Sequence, residues 1–192
     1  MPSSLKVALT GAHSTGKSTL LTAFASAVTF EVVTTPEVPR QVIEAAGAGE
    51  DFLHRGNNTL LRQGLIIASQ IEAESMAMMN SPRVLLVDRT VVDHWAYTVE
   101  LLEPEQSDDV DIRLWRGLID RWIETYDLIV RLPPEIPLAA DGVREEDEAF
   151  RTSIDETITR HLDEAGVGYI TVGGTVDERV AELKRLIEEL LS

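Results

Sequence analysis

Gly11-Ala12-His13-Ser14-Thr15-Gly16-Lys17-Ser18 carries the spacing G-x-x-x-x-G-K-[ST], with Thr19 directly behind it. Glycines at the two ends let a backbone turn tightly enough for successive N–H groups to converge on phosphate oxygens. The apolar run Leu5–Leu9 leads in and a helix-period stretch from Ser18 leads out, which is the context the motif requires. A helix N-terminus there adds positive dipole, Lys17 reaches the β- and γ-phosphates of a nucleotide, and the Ser18 hydroxyl is placed to hold a metal. The cofactors this implies are ATP and Mg2+. His13 and Thr19 belong to the same stretch, although His13 reads equally as a solvent-facing loop residue.

Asp88-Arg89 ends a second apolar run, Val84-Leu85-Leu86-Val87, and so falls at the carboxyl edge of a strand, where ligands bind in open α/β sheets. An acid at that edge holds Mg2+ or accepts a proton, and the adjacent guanidinium binds an anionic group. The competing reading makes Asp88 the N-cap of a helix starting near Val91.

The elements that must position these groups follow from periodicity. Continuous apolar runs at Leu5–Leu9, Phe30–Thr34, Val84–Val87, Leu128–Val130 and Tyr169–Val172 read as strands buried on both faces. Between them, helical spacing runs near Ser18–Ala27, Thr59–Met79, Val92–Leu101, Ile112–Thr125, Phe150–Ala165 and Val176–Leu191. Gly166 stands at a C′ position, Ser81-Pro82 stops the long helix, and Thr175 is a candidate cap. Strands alternating with helices predict a five-stranded, mainly parallel sheet, and with the Gly11–Ser18 loop at its first strand the expectation is a three-layer α/β/α P-loop NTPase fold. We expect one domain over residues 1–192, with a polar, acidic excursion at about 133–151 opened by Pro133-Pro134, which the resemblance given below implies is a lid.

Composition narrows the partners. Seventeen Lys+Arg against thirty-three Asp+Glu give a net charge of −16, which repels nucleic acid and anionic lipid unless the basic residues gather in one cleft. There is no cysteine, so no disulfide and no thiolate metal site. The apolar runs are strand-length, far below the roughly 20 residues of a membrane span. The N-terminal residues lack a secretory apolar region. The expectation is a cytoplasmic protein that binds a nucleotide and a small acceptor, with no nucleic acid and no membrane partner and with a homo-oligomer left open.

Several nucleotide-hydrolase classes fit less well. No N-K-x-D signature accompanies the loop, and the D-x-x-G match Asp163–Gly166 falls at a helix end. The position after Asp88, where AAA-type hydrolases carry a water-activating glutamate, holds Arg89. Three segments instead carry a resemblance: Gly11–Ser18; Asp88-Arg89-Thr90-Val91-Val92-Asp93-His94-Trp95-Ala96-Tyr97; and Leu132-Pro133-Pro134 with Asp141-Gly142-Val143-Arg144 and Arg151. The chain resembles P-loop small-molecule kinases of the ribosylnicotinamide kinase-like group, which also go under the name of AAA-type ATPase domains. It is more distantly similar to thymidylate and deoxynucleoside kinases.

The resemblance implies that Arg144 and Arg151 are lid arginines closing on the transferring phosphoryl group, where positioned cations do most of the catalysis. Seven residues apart, they share a helix face, but Arg144/Glu148 and Asp147/Arg151 also read as surface ion pairs. It further implies that Glu37 and Arg40, behind the second strand, contact the acceptor. Their alternative is incidental charge at a loop-to-helix junction. Gln70 matches a family position that reads the acceptor, Gln63 reads as helix surface, and Gly173-Gly174 resembles the loop that wraps adenine or else a plain strand-to-helix turn. Trp95 and the methionines Met76, Met78 and Met79 read as core. Overall, the resemblance implies ATP- and Mg-dependent phosphoryl transfer to a nucleoside- or nucleotide-like acceptor, with Lys17, Asp88, Arg144 and Arg151 as the catalytic set. The alternative is a nucleotide-dependent ATPase or switch acting through a protein partner.

Overall fold

The computed structural model describes residues 4–35, 38–45, 60–101, 110–137 and 148–192. Five strands form one all-parallel sheet: β1 (Leu5–Thr10), β2 (Val32–Thr34), β3 (Val84–Asp88), β4 (Leu128–Arg131) and β5 (Ile170–Thr171), in the order β2-β3-β1-β4-β5. This is the P-loop NTPase α/β fold. Among the described residues seven helices accompany the sheet: α1 (Lys17–Ala27), α2 (Val38–Ala45), α3 (Leu60–Met79), α4 (Val91–Leu101), α5 (Val110–Ile123), α6 (Glu148–Glu164) and α7 (Val176–Leu191).

Side chains alternate across each central strand, and both faces are covered, so the strands carry no polar face in their sequence. Leu5, Val7 and Leu9 of β1 and Val84 and Leu86 of β3 pack with Leu20, Leu21 and Phe24 of α1 and Leu183 and Ile187 of α7. Ala8, Leu85, Val87 and Ile129 turn the other way, against Ile67, Trp95, Ile119, Ile154 and Ile158 from α3, α4, α5 and α6. The pairing Leu9↔Asp88 and Thr10↔Arg131 brings the carboxyl ends of β1, β3 and β4 into line, so the residues that follow them share one edge.

Several local expectations need correction. The outer strands are shorter than their apolar runs, beginning at Val32 and not Phe30, and covering only Ile170–Thr171 of Tyr169–Val172. Helix α2 was not foreseen; its Pro39 sits in the first turn, where a missing N–H is no loss. Met76 and Met79 are exposed, and of the three methionines only Met78 packs on the core. Gln63 is buried, not a surface residue. Trp95 is core, as expected, and Thr175 caps α7 in a reciprocal box with Glu178.

Candidate active site

The phosphate loop leaves β1 at Thr10 and enters α1 at Lys17. Its backbone takes positive φ at Gly11 (136°), Ser14 (57°) and Gly16 (87°). At Gly11 a side chain is excluded twice over, since a Cβ there would lie 2.4 Å from the Leu132 carbonyl oxygen at the end of β4. The Lys17 ammonium is buried and folded into the loop, donating to the carbonyls of Gly11 (2.6 Å) and Ala12 (2.7 Å) and to Thr15 Oγ1 (3.2 Å). Ala12 is buried in the core beneath the loop, while Ser18 and Thr19 are exposed on the first turn of α1.

Across the β1–β3 pairing, Ser18 Oγ donates to Asp88 Oδ2 at 2.8 Å. A hydroxyl and a carboxylate this close are hard-oxygen donors of the kind that would suit Mg2+. Asp88 is not a helix cap: α4 begins at Val91, and Thr90 Oγ1 accepts from the N–H of Val92 (3.1 Å). The N-cap reading of Asp88 is therefore replaced by the edge position.

Arg89 holds φ 73°, a conformation costly for a residue with a long side chain. The turn around it is tied to three elements. Asp88 N–H donates to Thr35 Oγ1 (2.9 Å), Gln70 Nε2 to the Arg89 carbonyl (3.3 Å), and Thr90 N–H to Asp93 (2.7 Å). Gln70 is fully buried and thus faces this turn, not an open cleft. Its amide also donates to Glu74 (2.8 Å) and its oxygen lies 3.4 Å from His94 Nε2. Glu74 is in turn saturated by Lys6 (2.7 Å), the Trp122 indole (2.7 Å) and the Tyr126 hydroxyl (2.9 Å). Burial, and then the Glu74 carboxylate, push the Tyr126 hydroxyl well above its usual range. Burial first, and the Arg89 guanidinium second, lower His94 to about 3, so its ring is neutral.

His13 is buried and not solvent-facing. Its Nδ1 lies 2.9 Å from the Tyr97 hydroxyl, and the Phe150 ring stands 6.5 Å from its own. That contact brings the first turn of α6 over the phosphate loop. Arg151, next in line, is 1% exposed and so does not lie on the helix surface, and Asp147, read as its ion-pair partner, lies outside the described residues. Nη1 is 3.4 Å from Glu148, while Nε and Nη2 have no hydrogen-bond partner among the described residues. Glu37 and Arg144 lie outside the described residues, and only the backbone of Arg40, in α2, is described.

Two residues that drew no notice in the sequence complete the edge on its β4–β5 side. Arg179, buried on α7, donates from Nη1 to the Thr15 carbonyl (2.6 Å) and from Nη2 to Glu135 (3.3 Å). Glu135 also accepts the Gly174 N–H (2.9 Å), and a Cβ on Gly173 would lie 2.5 Å from its Oε1. The paired glycines therefore admit a carboxylate from the segment after β4. No local pattern marks Arg179, because the loop it supports is 164 residues away in the chain.

Comparison with known proteins decides the family. A family model described as AAA domain matches residues 6–179. The chain belongs to the AAA domain family. No curated protein sequence matches it. Among solved structures, this AAA domain is similar to NadR in complex with NR, at a TM-score of 0.73 and 22% identity, over 97% of this chain and 50% of that one. It is also similar to deoxyadenosine kinase from M. mycoides with bound dATP, at 0.65 and 12%, over 96% and 100%. Thymidylate kinase from Candida albicans matches at 0.65 and 16%, over 98% and 92%. The AAA domain thus spans about half the length of the NadR chain and nearly all of the two kinases. At these identities the shared property is the fold.

Proposed function

We propose that this AAA domain transfers the γ-phosphoryl group of ATP to a hydroxyl or phosphate of a small nucleoside- or nucleotide-like acceptor. The observation that carries the reading is the Ser18–Asp88 pair, 2.8 Å apart, beside the Lys17 loop. Ser18 and Asp88 would hold Mg2+, which would supply positive charge to offset that of the phosphates. The backbone N–H groups of the loop bind phosphate, and Lys17 turns from the Gly11 and Ala12 carbonyls to the β- and γ-oxygens. Arg151, buried with two N–H faces lacking partners among the described residues, suits the charge that spreads over the transferring group. Arg144 joins it from the lid, and Arg89 with Glu37 and Arg40 holds and orients the acceptor. Gly173 and Gly174 border the base. The kinase relatives of the same fold support this reading over an ATPase switch, as does Arg89 standing where a water-activating carboxylate belongs.

The test is ADP release across a panel of nucleosides, ribosylnicotinamide and nucleoside monophosphates, beside an acceptor-free control. We expect at least one acceptor to raise the rate well above the control. Lys17→Ala should cut turnover by roughly 100-fold or more while leaving the circular dichroism spectrum intact. An equal rate across the panel and the control would overturn the kinase reading.

A further inference from the structure

Asp93 has no role in the chemistry above, yet its carboxylate is the most heavily hydrogen-bonded acid beside the phosphate loop. It is fully buried on the first turn of α4. Oδ1 accepts the Gly11 N–H (3.1 Å), and Oδ2 accepts the Thr10 hydroxyl (2.9 Å), the Thr90 N–H (2.7 Å) and the Thr90 hydroxyl (2.7 Å). No ion pair with Asp93 occurs among the described residues. A buried carboxylate without a cation is costly unless hydrogen bonds fill its lone pairs, and here four donors do so. Two of them come from the junction of β1 with the phosphate loop. The other two come from the turn that holds Asp88 and the strained Arg89.

We propose that Asp93 is a positioning residue that locks the phosphate loop to the Asp88–Arg89 turn and so sets the distance between Ser18 and Asp88. The inference rests on the nucleotide-binding reading of those two residues. Its geometry is specific. The Gly11 N–H is committed to Asp93, which fixes the first peptide of the loop. Thr90 anchors the far end of the Arg89 residue, whose φ of 73° persists only where neighbours over-determine it. Thr35 and Gln70 hold the turn from β2 and α3, and of these three anchors Asp93 is the one seen among the described residues to grip the loop as well. An apolar side chain would fill the same space and would lock nothing.

The test compares wild type with Asp93→Asn, which keeps the shape but presents an NH2 group where an acceptor is needed. The milder Thr10→Val removes one donor and is nearly isosteric. Titration calorimetry with ADP and Mg2+ should show affinity lowered roughly tenfold or more in Asp93→Asn and roughly threefold in Thr10→Val. A merely structural residue would add its effect to any other, so Ser18→Ala supplies the second half of a cycle. In the Ser18→Ala background the Asp93→Asn loss should shrink severalfold, because the spacing it protects no longer matters. Without nucleotide, hydrogen exchange in Asp93→Asn should quicken together in residues 11–18 and 88–92. Affinity within twofold of wild type in both variants, independent losses in the double variant, or faster exchange confined to one segment would overturn the proposal. A wild type that binds no ADP would sink the nucleotide reading instead, and the exchange result would still decide the Asp93 lock.

Discussion

His94 is buried beside Arg89 and Asp93, and burial chiefly, with help from the Arg89 guanidinium, lowers its pKa from 6.5 to about 3. Between those two values the unfolded chain takes up a proton that the folded chain refuses. Stability from this group is therefore whole above pH 6.5 and is lost as the pH falls toward about 3. His161, buried against the Trp95 ring and also lowered chiefly by burial, acts in the same direction. Thermal midpoints measured from pH 7 to pH 4 should fall in wild type, and His94→Gln should flatten that slope; an unchanged slope would contradict the assignment. At this scale the Gly11–Ser18 loop was legible from a local spacing rule, and the edge position of Asp88 from the apolar run that precedes it. Gln63 was misread as surface, and the solvent-facing alternative for His13 fails for the same reason: residue type suggests exposure, whereas their burial comes from tertiary neighbours. Asp93 stood inside a quoted segment without a role, because its partners Thr10 and Gly11 are more than eighty residues away.

Helix α7 supplies more than a covering layer. Its N-terminus is fixed by the Thr175–Glu178 box, and the hydrogen bonds from Thr175 hold the Glu178 carboxyl below its ordinary value. That anchor places Arg179, one turn on, against the Thr15 carbonyl. Hydrogen bonds to charged groups contribute about 1.5–3 kcal/mol, which corresponds to tenfold or more in an equilibrium constant. Arg179→Met keeps the apolar stem and removes the donors, so ADP affinity should drop on the order of tenfold with α7 still folded by circular dichroism. Affinity equal to wild type would show that the loop holds its shape unaided. Elements with strong periodicity were readable from sequence, including the doubly covered strands and the long α3. Helix α2 was not, since eight residues starting Val38-Pro39 offer too few turns for a period to emerge.

Taken whole, the molecule carries −16, yet Lys17, Arg89, Arg151 and Arg179 are all buried at one edge of its sheet. Positive charge is thus concentrated where phosphate is expected, inside a shell of carboxylates that repel one another. Screening has a range of about 10 Å at 0.1 M salt, so raising salt from about 0.02 to 0.2 M should relieve the shell and raise the melting temperature. A melting temperature that falls over that range would mean attractive surface pairs dominate. The sheet's composition was visible in the sequence, but its order was not, because strand neighbours are chosen by packing between distant segments.

The bond from Arg179 to the phosphate loop also sets an order of events at the ribosome. The loop is made 164 residues before the guanidinium that grips it. A growing chain therefore exposes the loop early, and the support that Arg179 gives it is in place only once α7 has been made and has docked on α1.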